Sequence, residues 1–357
     1  MALSPSLPAQ GSSAVSSWHV PTIGAERAWR TATGAGVTVA VIDSGVDADH
    51  PDLAGAVLPG RSYVTEAGRT GPRLLALGAD RRRNGDEAVA HADPVGHGTA
   101  VAGLIAGRGG GSGSGVAPAA EILPVRVLDD QNRYDDSALV ADAVEWAVDQ
   151  GADVVNLSLG GHYDSPALGS AIEYAAARDV LVVACTGNQA LEGAGESVWF
   201  PARDPRVLAV TGVDRSLRRW PTAISDDRTD LAAPGVGLWA PAAGGGYKEA
   251  TGTSFASAVA AGAAALVRSA QPELSADEVK YVLTATAGPE GPGIGAGVVD
   301  AAAAVAADLD RLPPQPFELR ARQEASAPWP ATVGTAAAGL LGAVTLLLRA
   351  RRRPAAR

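Results

Sequence analysis

Three short stretches hold residues that could act together on an acyl group. Ser254 stands in Gly252-Thr-Ser-Phe-Ala-Ser257, His97 in Gly96-His-Gly-Thr99, and Asp43 closes an apolar run and begins Asp43-Ser-Gly-Val46. Acyl transfer through a serine needs a hydroxyl, an imidazole to take its proton, a carboxylate to orient that imidazole and donors for the oxyanion. Taken singly, each residue has a plainer explanation. A serine at a helix start is an N-cap, an aspartate after a strand forms a turn, and a lone histidine is more often structural. His97 stands out from His19, His50, His91 and His162 because glycines flank it and a small-residue stretch, 100–106, follows it. Glycines there allow close backbone approach and leave the ring accessible.

These residues need a frame, and the apolar patterning supplies one. Residues 37–42, 122–128, 154–159, 180–184 and 207–213 are short, nearly continuous apolar runs bounded by Gly, Pro or Asp, as strands buried on both faces should be. Between them, 137–150 gathers Leu139, Val140, Ala143, Trp146 and Ala147 on one helical face, and 167–178 is similar. Strand–helix–strand repetition predicts an α/β fold with a doubly wound, mostly parallel sheet. Asp43 then lies at the carboxyl end of a strand, where open α/β sheets place their sites. Ser254 lies in a tight turn opening an Ala- and Gly-rich helix, whose free N–H groups suit a nearby oxyanion.

The three motifs, in the order Asp, His, Ser, resemble the signature blocks of the subtilisin superfamily. His50-Pro-Asp-Leu53, Val116-Ala-Pro118, Asn156-Leu-Ser-Leu-Gly160, Thr186-Gly-Asn188 and Phe200-Pro-Ala202 resemble further blocks, so the likeness spans roughly 18–306. It implies a three-layer fold and a serine endopeptidase with Asp43, His97 and Ser254 as triad. It also implies Asn188 and the Ser254 N–H as oxyanion donors. Ser158, Leu159 and Gly160 would be the edge that pairs with extended substrate, a case of strand addition. Pocket walls would come from segments 184–188 and 193–198, with Cys185 a small apolar residue near one wall. Subtilisins usually carry a calcium loop before Val-Ala-Pro. Here 109–115 contains no carboxylate, so no metal is expected there, and no cofactor elsewhere.

Composition narrows the remaining possibilities. With 46% hydrophobic residues in 357, the chain can bury a large core. Its net charge of −10 argues against a nucleic-acid partner. A single cysteine excludes an internal disulfide and a cysteine zinc site. Residues 1–17 read as a flexible leader without the apolar stretch of a signal peptide. The segment 66–93, with Arg81, Arg82 and Arg83, breaks the rhythm as a long surface insertion.

A Pro-containing linker, 307–328, follows the peptidase region 18–306, and then comes an uncharged stretch from 331 to 348. At about 1.5 Å per residue this stretch is just long enough for a hydrocarbon core of about 30 Å, with Trp329 as interfacial anchor. The expected transmembrane helix is 329–348, followed by a basic tail, 349–357. That tail should stay cytoplasmic and put the peptidase domain outside, anchored to the cell membrane by a single pass. Such an export conflicts with the leader unless an export signal lies upstream. A peptidase domain, linker, terminal helix and basic tail together resemble the mycosins, membrane-anchored peptidases associated with type VII secretion in actinobacteria. The resemblance implies a protein or peptide substrate and a secretion membrane complex as partner. The competing expectation is a structural subunit in which binding matters more than proteolysis.

Overall fold

Alternation along the first strand explains the layering. In β1 (Thr38–Asp43), Val39 and Val41 join one apolar cluster while Ala40 and Ile42 join another, because successive side chains leave a strand on opposite faces. The computed structural model describes residues 17–64, 90–109, 113–134, 136–189 and 197–313. Before β1 come two short helices, α1 (His19–Thr22) and α2 (Ala25–Ala28). After it come β2 (Arg61–Ser62), α3 (His97–Ala106) and the antiparallel pair β3 (Arg108–Gly109) and β4 (Gly113–Ser114). The chain continues through β5 (Glu121–Arg126), α4 (Ser137–Asp149), β6 (Val154–Leu157), α5 (Pro166–Ala176) and β7 (Leu181–Cys185). It closes with β8 (Leu208–Val213), β9 (Leu231–Pro234), the hairpin β10 (Leu238–Pro241) and β11 (Tyr247–Ala250), then α6 (Thr253–Ala270), α7 (Ala276–Ala285) and α8 (Ala301–Val305).

The main sheet has seven strands in the order β2-β5-β1-β6-β7-β8-β9, and every neighbouring pair is parallel. On one face α3 and α6 bury Leu104, Ile105, Val259 and Leu266. On the other, α4 and α5 bury Val140, Val144 and Ile172. This is the doubly wound arrangement that the apolar runs predict. Local signals set the helix starts. Asp136 caps α4 by accepting from the Ala138 N–H, and Ser165 caps α5 with Pro166 at its first position. The helix α6 is buried nearly all round, which its alanines permit.

The chain leaves β1 towards β5 on one side and reaches β6 on the other, so the loops at their carboxyl ends part. That is the switch point where sites form in open sheets. Some boundaries differ from the expected ones. The run 154–159 forms a strand only to Leu157. Leu309 and Leu312 pack against the core, so the folded unit continues past 306 into the stretch expected as linker. The rest of that linker, the leader up to residue 16, most of the insertion 66–93, the helix 329–348 and the tail 349–357 lie outside the described residues. So does the second unit, 316–357.

Candidate active site

Odd positions of β1 face α3 and α6, and Asp43 is the last of them. Its side chain is fully buried. His97 is the first residue of α3, entered through Gly96 at φ 74°. Its Nδ1 lies 2.8 Å from Asp43 Oδ1, and the same oxygen accepts the Ser44 N–H at 2.7 Å. Gly98 makes this approach possible. A Cβ there would stand 2.1 Å from the Gly45 carbonyl oxygen and 3.1 Å from Asp43 Cβ. His91, the other histidine of this region, contacts the Leu58 carbonyl instead.

A second carboxylate fastens the same helix start. Asp93 Oδ1 accepts from Ser44 Oγ and the Gly96 N–H, each at 2.8 Å. Its Oδ2 accepts from the Thr99 N–H at 2.8 Å and Thr99 Oγ1 at 2.6 Å. Burial alone would lower the His97 pKa, but the charge and hydrogen bond of Asp43, helped by the charge of Asp93, more than offset it. The net effect holds the imidazole above its ordinary range, although the nearby Lys248 opposes it.

Ser254 is the second residue of α6, behind Gly252, whose φ of 152° and ψ of 160° belong to a region that is essentially glycine's. The His97 ring lies 5.2 Å, centroid to centroid, from that of Phe255, so the starts of α3 and α6 meet. Ser254 Oγ donates to the Ser158 carbonyl at 3.2 Å. Beneath it, Ser158 Oγ and Ser257 Oγ each donate to the Ser254 carbonyl at 2.8 Å, and Asn156 Nδ2 donates to Ser158 Oγ at 2.9 Å. These contacts fix the first turn of α6. The Ser158 side chain thus serves the turn that carries Ser254, and both it and Leu159 are buried. Past the end of β6 their backbone, with Gly160, is the part left for pairing with an extended chain.

Asn188 follows β7 and meets the same turn. Its Oδ1 accepts from both the N–H and the Oγ1 of Thr253, each at 3.1 Å. With the carbonyl end tied there, Nδ2 is the end left to donate outward. The Ser254 N–H lies in the first helical turn and has no intrahelical acceptor. Both groups therefore lie at the turn that carries Ser254. Cys185, at the end of β7, adjoins the Ser254 and Thr253 hydroxyls, and burial pushes its thiol up to about 11. It is a neutral packing residue at ordinary pH, as the sequence suggests.

The structure thus brings together Asp43, His97, Ser254 and Asn188. Asp93, Ser44, Thr99, Asn156 and Ser257 support them and were not singled out from the sequence. An aspartate four residues ahead of a glycine-flanked histidine was the one available signal. Among the described residues no three metal-ligating side chains converge. The metal-free loop expected at 109–115 is described only at its ends, in β3 and β4.

Comparisons with known proteins agree with this fold. The model of the subtilase family matches residues 34–313. Subtilisin E of Bacillus subtilis (strain 168) is 36% identical over 256 residues, which are 71% of this chain and 61% of that protein. The match therefore spans less than two thirds of that relative's length. Subtilisin Savinase of Lederbergia lenta is 36% identical over 291 residues, 80% of this chain and 97% of that protein. Among solved structures, the MycP3 protease from the type VII (ESX-3) secretion system superposes with a TM-score of 0.66 at 30% identity, covering 85% of this chain and 91% of that one.

Proposed function

The chain belongs to the subtilase family, and from that premise we propose that it is a membrane-anchored serine endopeptidase working through Ser254, His97 and Asp43. The observation that carries this reading is the 2.8 Å contact between His97 Nδ1 and buried Asp43, made where the starts of α3 and α6 meet. In the proposed cycle the Ser254 hydroxyl leaves the Ser158 carbonyl and gives its proton to His97 Nε2 as Oγ attacks the scissile carbonyl. Such hydrogen bonds commonly tighten only when substrate is bound. Asp43 holds the Nδ1–H and favours the imidazolium that forms. Asn188 Nδ2 and the Ser254 N–H receive the oxyanion. His97 then gives the proton to the leaving amine. The acyl-enzyme is hydrolysed by a water that His97 deprotonates.

The likeness to MycP3 supports a setting in type VII secretion, with a secretion membrane complex as partner. No helix among the described residues is long and apolar enough to cross a membrane. The anchor we propose is the uncharged span 331–348, outside those residues, with the arginines from 349 to 353 on the cytoplasmic side. A fluorophosphonate probe tests the core of the proposal. It should label the wild-type chain and spare Ser254→Ala; equal labelling of the two would refute a nucleophilic role for Ser254.

A further inference from the structure

The oxyanion donors and the backbone 158–160 together define where a substrate lies. The side chain of the residue whose carbonyl is attacked must enter the crevice between the segments that follow β6 and β7. That crevice is crossed by residues 198–200. The Trp199 N–H donates to the Thr186 carbonyl at 3.0 Å, and Phe200 exchanges two hydrogen bonds of 2.8 Å with Gly161. Residue 199 therefore stands in the gap, tied to one wall directly and to the other through its neighbour. Its indole lies against Gly187, the residue before Asn188. A Cβ on Gly187 would come within 2.4, 2.6 and 2.7 Å of the Cδ2, Cε2 and Cγ atoms of Trp199. On the other wall, a Cβ on Gly160 would be 3.4 Å from Trp199 Cβ. His162 packs edge-on against the indole, with centroids 5.7 Å apart. Trp199 is 7% exposed, so its ring is packed against protein where the two walls approach.

We propose that Trp199 forms the floor of a shallow pocket, so that the enzyme accepts only a small side chain (glycine, alanine or serine) at the residue whose carbonyl is attacked. This rests on the peptidase reading above. A leucine or phenylalanine would have to displace an indole braced between two backbone segments and a histidine. Close-packed interiors resist that kind of insertion.

The test uses quenched peptides that differ only at that residue. The full chain should favour alanine over phenylalanine by about a hundredfold in kcat/KM. Trp199→Ala should reduce that ratio at least about tenfold, mainly by improving the phenylalanine substrate. Trp199→Phe, a milder change should the alanine variant fail to fold, should do the same for a leucine substrate. Equal cleavage of the alanine and phenylalanine peptides by wild type would overturn the proposal, as would an unchanged ratio in a folded variant. A second readout needs no turnover: Ser254→Ala should bind an acyl-side product peptide ending in alanine more tightly than one ending in phenylalanine, and equal binding would overturn it. Fluorophosphonate labelling reports on the nucleophile separately, so failure of the pocket and failure of the peptidase reading are distinguishable.

Discussion

At the level of single residues, His97 is the group on which opposing influences meet. Asp43 and Asp93 raise its pKa against burial and Lys248. A general base must be neutral, so the acid limb of kcat/KM should lie above the ordinary histidine value of about 6.5. Lys248→Ala should move that limb further up, and Asp43→Asn should move it down while cutting kcat by about ten-thousandfold. A pH–rate profile for each variant measures both effects; a limb that ignored either substitution would count against this electrostatic account. Stability should follow the opposite course. Because the folded pKa is raised, the protonated His97–Asp43 pair contributes stability that is fully present below the unfolded pKa and fades as pH rises through the folded value. Activity should therefore appear over the range in which this contribution is lost. Asn188 makes a separate case. Since Thr253 ties down its Oδ1, Asn188→Ala should cost about a hundred- to a thousandfold, mostly in kcat, as removal of an oxyanion donor does in subtilisin.

Among the elements, the decisive contact is the approach of α3 to β1, and Gly98 permits it. Gly98→Ala places a methyl against the rigid Gly45 carbonyl at 2.1 Å. The helix start must then back away from Asp43, so activity should fall along with a stability loss of about 2 kcal/mol or more. Thermal melting and peptidase assays would check this, and an unchanged melting temperature would mean that the two elements are less tightly seated than the structure has them. The sequence made both elements legible, because 37–42 is a continuous apolar run and 100–106 a small-residue stretch. Strand β9 was harder to see. Leu-Ala-Ala-Pro is short, weakly apolar and ends in proline, and it is a strand because β8 pairs with it. The motifs that hold Asp43, His97, Ser254 and Asn188 stand out because each is local. The Asp93 and Asn156 networks depend on contacts between residues as much as 99 positions apart, such as Ser158 with Ser257, and no local pattern announces those. Nor does any pattern reveal that the indole of Trp199 covers Gly187.

For the molecule as a whole, the chemistry and the proposed tether occupy separate stretches of chain. The family match ends at residue 313, just past Leu309 and Leu312, which pack against the core. The uncharged span 331–348 lies outside the described residues. If it crosses the membrane, the full chain should stay with membranes through alkaline carbonate washing, because a spanning helix leaves lipid only at great cost while a peripheral contact does not survive that treatment. A chain ended after Pro313 should be released to the soluble fraction and still react with a fluorophosphonate, since Asp43, His97, Asn188 and Ser254 all precede that point. External protease should reach the peptidase domain of the full chain on intact cells, because the arginines after 348 favour the cytoplasmic side. Recovery of the full chain in the soluble fraction would remove the anchor. A domain protected on intact cells but digested after lysis would reverse the topology and leave the chemistry of Ser254 standing on its own.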